Sequence, residues 1–257
     1  MSQPVFAIAA RSAIGLHRSG NEDSALTSAN LIAVADGMGG HAGGEVASAI
    51  AIKELTKLVP ISQSPEIDAD SIEDLLSQSI SEIDSEILRV ANEDPELRGM
   101  GTTLTALLLH EDRIALIHIG DSRAYRLRDG ELEQLSLDHT VLQELIDQGK
   151  LTLSEANDHP QRSLLTQVLM GSGKLDPVLV VYERKAGDRY LLCSDGLSSV
   201  LSNKEIKSLL KKSKREDAVA ALVEATYIND APDNVTVIVA DIATDLMVET
   251  ELHGASK

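Results

Sequence analysis

Four aspartates stand where apolar strands stop. Asp36 follows Leu31-Ile-Ala-Val-Ala35, Asp121 follows Ala115 to Gly120, Asp195 follows Tyr190 to Ser194, and Asp233 immediately precedes Asn234-Val-Thr-Val-Ile-Val-Ala240. Asp36 and Asp195 each precede a glycine, and Asp121 follows one. A carboxylate at the end of a buried strand is costly unless something neutralises it. A neighbouring glycine lets the backbone approach a ligand that side chains would exclude. One such acid is explained by a turn in which the Asp bonds its own backbone. Four of them argue for convergence on a metal centre. An all-oxygen donor set without paired His suits Mg2+ or Mn2+ better than Zn2+.

The stretch after Asp36 admits two readings. Gly37-Met38-Gly39-x-x-Ala42 matches a loose dinucleotide fingerprint, with Glu54 downstream. Asp36 would then direct its charge at the pyrophosphate, at the helix start that should attract anions. No Gly-Lys-Ser/Thr follows, which excludes a P-loop. The alternative is that Asp36 and a freed backbone carbonyl hold a hard divalent cation. Other phosphoryl chemistries fail on spacing. Cys193 would need an Arg six residues on, and Ser199 stands there, so it reads as a small buried strand residue. Asp68-x-Asp70 lies in a polar loop ahead of a helix rather than after a strand.

Composition narrows the partners. The 257 residues are 43% apolar and 25% charged, as in soluble globular proteins, with a net charge of −18. Such a chain repels nucleic acid and anionic membrane, and one Phe, four Tyr and no Trp leave few bases a platform to stack on. A site handling phosphate must import positive charge, which metal ions would supply. The lone cysteine allows no internal disulfide and fits a reducing compartment. No apolar run reaches membrane-span length, and the start, MSQPVFAIAARS, lacks the basic n-region of a signal peptide. A cytoplasmic location is expected.

The elements that must position these acids follow from periodicity. Val5 to Ala10 reads as a strand, Glu45 to Leu58 as a helix, and Pro60 to Asp70 as a Pro-broken loop. Ser71 looks like the N-cap of a long amphipathic helix carrying Ile72, Leu75, Leu76, Ile80, Ile83, Ile87 and Leu88, ended by Pro95. Strands then dominate, at Thr102 to Leu109 and Arg113 to Ile119, with a hairpin turning at Asp129-Gly130. Residues 138–175 read as a polar insert over the surface, with a short helix from Val141 to Gln148. Strands return at Val178 to Tyr182, Arg189 to Cys193 and Val235 to Asp241, with helices at Lys204 to Lys211 and Arg215 to Ile228 between the last two. Without repeats or linkers, residues 1–243 read as one α+β domain of mainly antiparallel sheet, and 244–257 as a flexible tail.

Taken in order, Arg18-x-x-Asn21-Glu22-Asp23, Asp36-Gly37-Met38-Gly39-Gly40-His41, Gly101-Thr102-Thr103, Gly120-Asp121-Ser122-Arg123, Asp138-His139-Thr140, Ser194-Asp195-Gly196 and Asp233-Asn234 form a series. It resembles the motif series of the metal-dependent type-2C serine/threonine phosphatases in bacterial form, over about residues 5 to 242. The resemblance implies a central sandwich of two antiparallel β-sheets flanked by pairs of helices, with the site at one end. It implies that Asp36 bridges two Mn2+ or Mg2+ ions, with the Gly37 carbonyl on one and Asp195 and Asp233 on the other. Glu22, Asp23 and Asn234 would support these ligands or hold metal water, Asp121 with Asp195 would hold a weaker third ion, and Arg18 would clamp phosphate. Residues 138–175 would form a flap beside the groove.

The physics agrees with these roles. Two close cations can activate a water for in-line attack, and a guanidinium fork matches phosphate oxygens. The expected function is hydrolysis of phosphoserine and phosphothreonine in proteins by a metal-activated water. The partners would be Ser/Thr-phosphorylated proteins, including a cognate kinase or its substrates, and the chain is expected to act as a monomer. A catalytically silent phosphoprotein-binding relative and a general small-phosphoester hydrolase are the alternatives; the first is disfavoured because no metal acid is missing. Family members of eukaryotic type carry His directly after Asp-Gly. Here Met38 stands there, and neither His41 nor His139 is an obvious replacement, so the general acid is unassigned.

Overall fold

The apolar run Leu31 to Ala35 has no polar face, which a strand tolerates only when both its faces are covered. In the computed structural model, which describes residues 3–40, 42–64, 69–152, 155, 159, 161, 164–244 and 246–257, this run lies in β3 (Leu31–Met38). Leu31, Ala33 and Ala35 face helices on the outside, while Ile32 and Val34 face an opposing sheet.

The remaining strands are β1 (Pro4–Ala13), β2 (Asp23–Thr27), β4 (Gly101–Thr102), β5 (Leu104–His110), β6 (Arg113–Ile119), β7 (Arg123–Arg128), β8 (Glu131–Gln134), β9 (Val178–Glu183), β10 (Arg189–Cys193), β11 (Val235–Thr244) and β12 (Glu251–Gly254). One sheet runs β12-β2-β3-β5-β6-β9, with β4 beside β3; the other runs β1-β11-β10-β7-β8. Each pairing along these orders is antiparallel. Helices α1 (Gly43–Thr56), α2 (Leu58–Ser62) and α3 (Ala69–Glu93) cover the outer face of the first sheet. Helices α6 (Asn203–Leu210) and α7 (Arg215–Ile228) cover the second; α4 (Val141–Asp147), the one-turn α5 (Asp195–Ser198) and a one-turn 3-10 helix at Pro95–Leu97 lie outside these two sets. The core therefore has three apolar layers, one between the sheets and one under each set of helices. This is the expected α+β sandwich of two antiparallel sheets with helices outside.

The chain departs from expectation in four places. Pro60 lies inside α2, in its first turn, where its missing N–H has no helical partner to lose. Helix α3 starts at Ala69, so Ser71 is inside it rather than capping it. Asp23–Thr27, a stretch to which the sequence pattern assigns no strand, is a fully buried strand. The stretch 244–257, expected to be a flexible tail, returns to the sheet: Glu251–Gly254 pairs with β2, and His253 Nε2 lies 3.0 Å from the Thr27 hydroxyl. The free backbone edge of β2 supplies the reason, because an unpaired edge templates another strand.

Antiparallel neighbours place the end of one strand beside the start of the next. The end of β10 therefore meets the start of β11, with the Ser194 N–H donating to the Thr236 carbonyl at 3.1 Å. The start of β2 meets the end of β3, putting Asp23 directly opposite Asp36. The turn from β6 into β7 carries Asp121 to the same end, since Arg123 pairs with Cys193. Cys193 points into the apolar layer under α6 and α7, and burial pushes its thiol up to about 12. It is an inert packing residue, as its spacing indicates.

Candidate metal centre

At this end of the sandwich the strand termini enclose a cleft of about 290 Å³ lined by Asp36, Gly37, Asp121, Asp195, Asp233 and Arg18, among others. Glu22, Asn234, Met38 and Thr103 also reach it. The structure thus brings together every residue expected to bind metal or phosphate. Asp23 lies just behind, buried, with one oxygen taking hydrogen bonds from Ser194 Oγ at 2.8 Å and Thr236 Oγ1 at 2.7 Å on the opposite sheet.

The backbone around Asp36 is fixed from the neighbouring strands. Thr103 Oγ1 accepts from the Asp36 N–H at 3.0 Å, and the Thr103 N–H and Thr102 hydroxyl both donate to the Asp36 carbonyl. At Gly37 the chain passes so close to α1 that a Cβ would lie 2.0 Å from the Gly44 carbonyl oxygen and 2.6 Å from that of Glu22. Only glycine fits there. Asn234 ties the other side: it accepts from the Glu22 N–H at 2.9 Å and donates to the Gly20 carbonyl at 2.9 Å. Arg18 leans over the mouth and donates to Asp233 Oδ2 at 2.5 Å.

So many carboxylates in one place repel one another. Removal from bulk water, then the charges of Asp23, Asp195, Asp121 and Asp233, pushes Asp36 well above the usual carboxylate range. Asp121 is pushed up to about 8 by burial and by the charges of Asp195 and Asp138. Asp23 rises to about 7 through burial, despite its two hydroxyl donors. Asp195 rises through burial and the charge of Asp233. Glu22 is raised by burial, which outweighs the lowering by Arg18.

The residues fit a hard cation. Asp195 Oδ1 is buried with no hydrogen-bond partner, a cost that a coordinating ion removes. Every available donor is oxygen, the set that Mn2+ and Mg2+ accept. Among the described residues, no three His, Cys, Asp or Glu side chains have already closed into ion-holding geometry. The carboxylates ring the cleft, and Arg18 engages one of them.

Of the two histidines considered as proton donors, His41 lies outside the described residues. His139 accepts the Gly120 N–H at Nδ1, 3.1 Å away, and stacks on His118 with ring centroids 5.0 Å apart. Burial lowers its pKa, so it is a neutral structural ring. Thr103, Ser194 and Thr236 are the supports that spacing alone did not mark for a role. Only Ser194 left a signal, as the hydroxyl residue directly before Asp195; Thr103 and Thr236 meet Asp36 and Asp23 through strand pairing alone.

These shifts predict how the metal-free protein responds to pH. An acid raised in the folded state keeps its proton after the unfolded chain has lost it, so stability falls as pH rises toward the folded value. Below about pH 6.5 buried neutral His118, lowered to about 3 by burial, acts in the opposite sense. The clean window is therefore about pH 7 to about 8.5, around the value of about 8 to which Asp121 is raised. In EDTA, Tm should fall there by roughly 2–4 °C per pH unit for each proton released. Saturating Mn2+ should flatten or reverse the slope, because ion binding displaces protons. A Tm in EDTA that climbs across this window would contradict the arrangement.

The family profile described as Protein phosphatase 2C matches residues 19–230. The serine/threonine protein phosphatase PstP of Mycobacterium tuberculosis is 46% identical over 238 residues, 93% of this chain and 45% of its own length. The chain thus spans about half the length of that relative. The serine/threonine phosphatase stp of Listeria monocytogenes is 36% identical over 220 residues, covering 82% of this chain and 84% of its own. The crystal structure of the PstP catalytic domain in complex with two manganese ions superposes with a TM-score of 0.86 at 44% identity, covering 94% of this chain and all of that one. Stp1 from Staphylococcus aureus gives 0.85 at 34% identity, covering 95% of this chain and 98% of that one. A sandwich of two antiparallel sheets with flanking helices is the architecture these phosphatases share with it. The chain belongs to the protein phosphatase 2C family.

Proposed function

We propose that this chain is a metal-dependent phosphoprotein phosphatase that hydrolyses phosphoserine and phosphothreonine. The observation that carries the reading is the convergence of Asp36, Asp121, Asp195 and Asp233, from four separate strand ends, on one cleft that Arg18 overhangs. Asp36, the Gly37 carbonyl, Asp195 and Asp233 would hold two Mn2+ or Mg2+ ions, and Asp121 a weaker third. When bound, such ions lower the pKa of a water and offset charge on the phosphoryl oxygens. Arg18 binds the phosphate: its bond to Asp233 uses one N–H and leaves further donors of the fork for phosphate oxygens. Glu22, Asp23 and Asn234 orient these ligands. Leu165, from the segment expected to form the flap, lines the cleft.

The substrates would be Ser/Thr-phosphorylated proteins, including a cognate kinase or the proteins it modifies. Among the described residues no helix is long and apolar enough to cross a membrane. The lone buried cysteine suits the reducing cytoplasm.

Turnover of a phosphopeptide and of p-nitrophenyl phosphate, with EDTA and then with added Mn2+, tests the reading. Both activities should vanish on chelation and return with Mn2+. Full activity in the stripped protein would remove the metal centre. Phosphopeptide binding without turnover in Mn2+ would make the chain a binding protein instead.

A further inference from the structure

Helix α3 buries an acid that the metal centre does not use. Asp84 is 4% exposed and lies among Ile80, Ile83 and Ile87, which pack into the layer under the first sheet. A carboxylate in such a place needs full hydrogen bonding. Its partners are three backbone amides of one loop. Oδ1 accepts from the Met170 N–H at 3.1 Å and the Gly171 N–H at 2.7 Å, and Oδ2 accepts from the Gly173 N–H at 2.8 Å. Gly171 has φ of +78°, and a Cβ on it would strike Leu88 Cβ at 2.5 Å, so the loop lies flat against the helix.

The held segment leads into the cleft. Leu169, one residue before the anchor, is fully buried and exchanges both backbone hydrogen bonds with Thr102, at 2.9 and 3.0 Å. Thr102 in turn donates to the Asp36 carbonyl. Four residues further back, Leu165 lines the cleft beside the strand-ending acids. The same strip is tied across its other side, where Leu165 bridges Thr140 and the Thr166 N–H donates to the His139 carbonyl at 2.9 Å. Residues 164–173 are thus a strap stretched from α3 to the mouth of the site, and Asp84 is its fastening at the helix.

We infer that Asp84 is a positioning residue that fixes this strap and so sets how the cleft receives the peptide around a phosphorylated side chain. The inference rests on the phosphatase reading and extends it to substrate selection. A small aryl phosphate needs the acids and Arg18 but little of the wall at Leu165. A phosphopeptide extends past the phosphate and meets that wall. Loosening the strap therefore affects the larger substrate, and does so in binding. Asp84→Asn keeps the shape and an oxygen acceptor but turns an NH2 toward one set of amides. Asp84→Ala removes all three bonds.

The test compares wild type, Asp84→Asn and Asp84→Ala in saturating Mn2+. For the phosphopeptide, KM should rise by about tenfold in Asp84→Ala, equivalent to about 1.4 kcal/mol, and by less in Asp84→Asn. The kcat for p-nitrophenyl phosphate should stay within about twofold, since each interaction with that substrate is retained. Hydrogen exchange should show faster exchange at residues 169–173 in Asp84→Ala and an intermediate rate in Asp84→Asn. Equal KM changes for both substrates, or none, would overturn the positioning role. If Asp84→Ala fails to fold, the graded comparison rests on Asp84→Asn, and a wild-type KM for phosphopeptide in that variant overturns it. A wild type inactive on both substrates would sink the phosphatase reading; the anchor would then stand or fall on whether 169–173 lose protection.

Discussion

Replacing Asp36 with Asn is expected to lower kcat by on the order of 10³-fold or more while making the metal-free protein more stable. The first effect follows from charge. In the proposed pair Asp36 would ligate both ions, and a Lewis-acid metal is worth several kcal/mol of transition-state stabilisation. The second follows from the sheet. Asp36 stands directly across from Asp23, and like charges opposite each other on neighbouring strands are unfavourable. Asp195, Asp121 and Asp233 add to the repulsion that raises its pKa. Asn is close in shape, and the backbone bonds that hold residue 36 to Thr102 and Thr103 do not involve its side chain. In EDTA near pH 8, Tm of Asp36→Asn should therefore rise by a few degrees. The Tm gain that Mn2+ gives wild type should shrink. Such opposition between stability and activity is common where a site concentrates charge. The measurement is a pair of melts, with and without Mn2+, beside kcat for both substrates. A lower metal-free Tm with retained turnover would make Asp36 a structural turn residue.

The acids were legible in the sequence because a strand end is a local event. An apolar run that stops at Asp, with glycine beside it, can be read within a few residues. That Asp36, Asp121, Asp195 and Asp233 share one cleft was legible only through the ordered motif series, since pairing between distant strands leaves no local mark. The apolar runs and amphipathic helices indicated an α+β domain of mainly antiparallel sheet, and the two-sheet sandwich came only with the motif series. What stayed hidden was set by tertiary context. Asp23–Thr27 is too polar to announce a strand, and it is buried because α1 and β3 cover it. The strand at Glu251–Gly254 exists because β2 offers a free edge. Asp84 did leave a trace, an acid one helical turn after Ile80 on the apolar stripe. Its meaning required seeing the loop 86 to 89 residues further along that it binds.

Replacing Asp121 with Asn should separate binding of the tight metal pair from turnover. Asp121 enters the cleft from the turn between β6 and β7, where the Ser122 hydroxyl lies 2.8 Å from that of Thr103 and the backbone is well fixed. The nearest cation, Arg123, is committed to Asp138 through three hydrogen bonds of 2.6 to 3.0 Å. It lowers Asp121 only in part, and the carboxyl still rises to about 8. Burial and its acidic neighbours leave this carboxylate poorly neutralised, and the proposed third cation would offset that charge. Since none of Asp36, Asp195 and Asp233 changes, Asp121→Asn should still bind two Mn2+ ions with near wild-type affinity. It should lose a weaker third and drop kcat by about 10²-fold or more, an effect of several kcal/mol for one metal contact. Calorimetric titration with Mn2+ counts the sites, and kcat for p-nitrophenyl phosphate reads the chemistry without the flap. Loss of the weak site together with kcat supports the assignment. An unchanged kcat would return Asp121 to an ordinary turn, and loss of the tight pair would make it a ligand of the main centre.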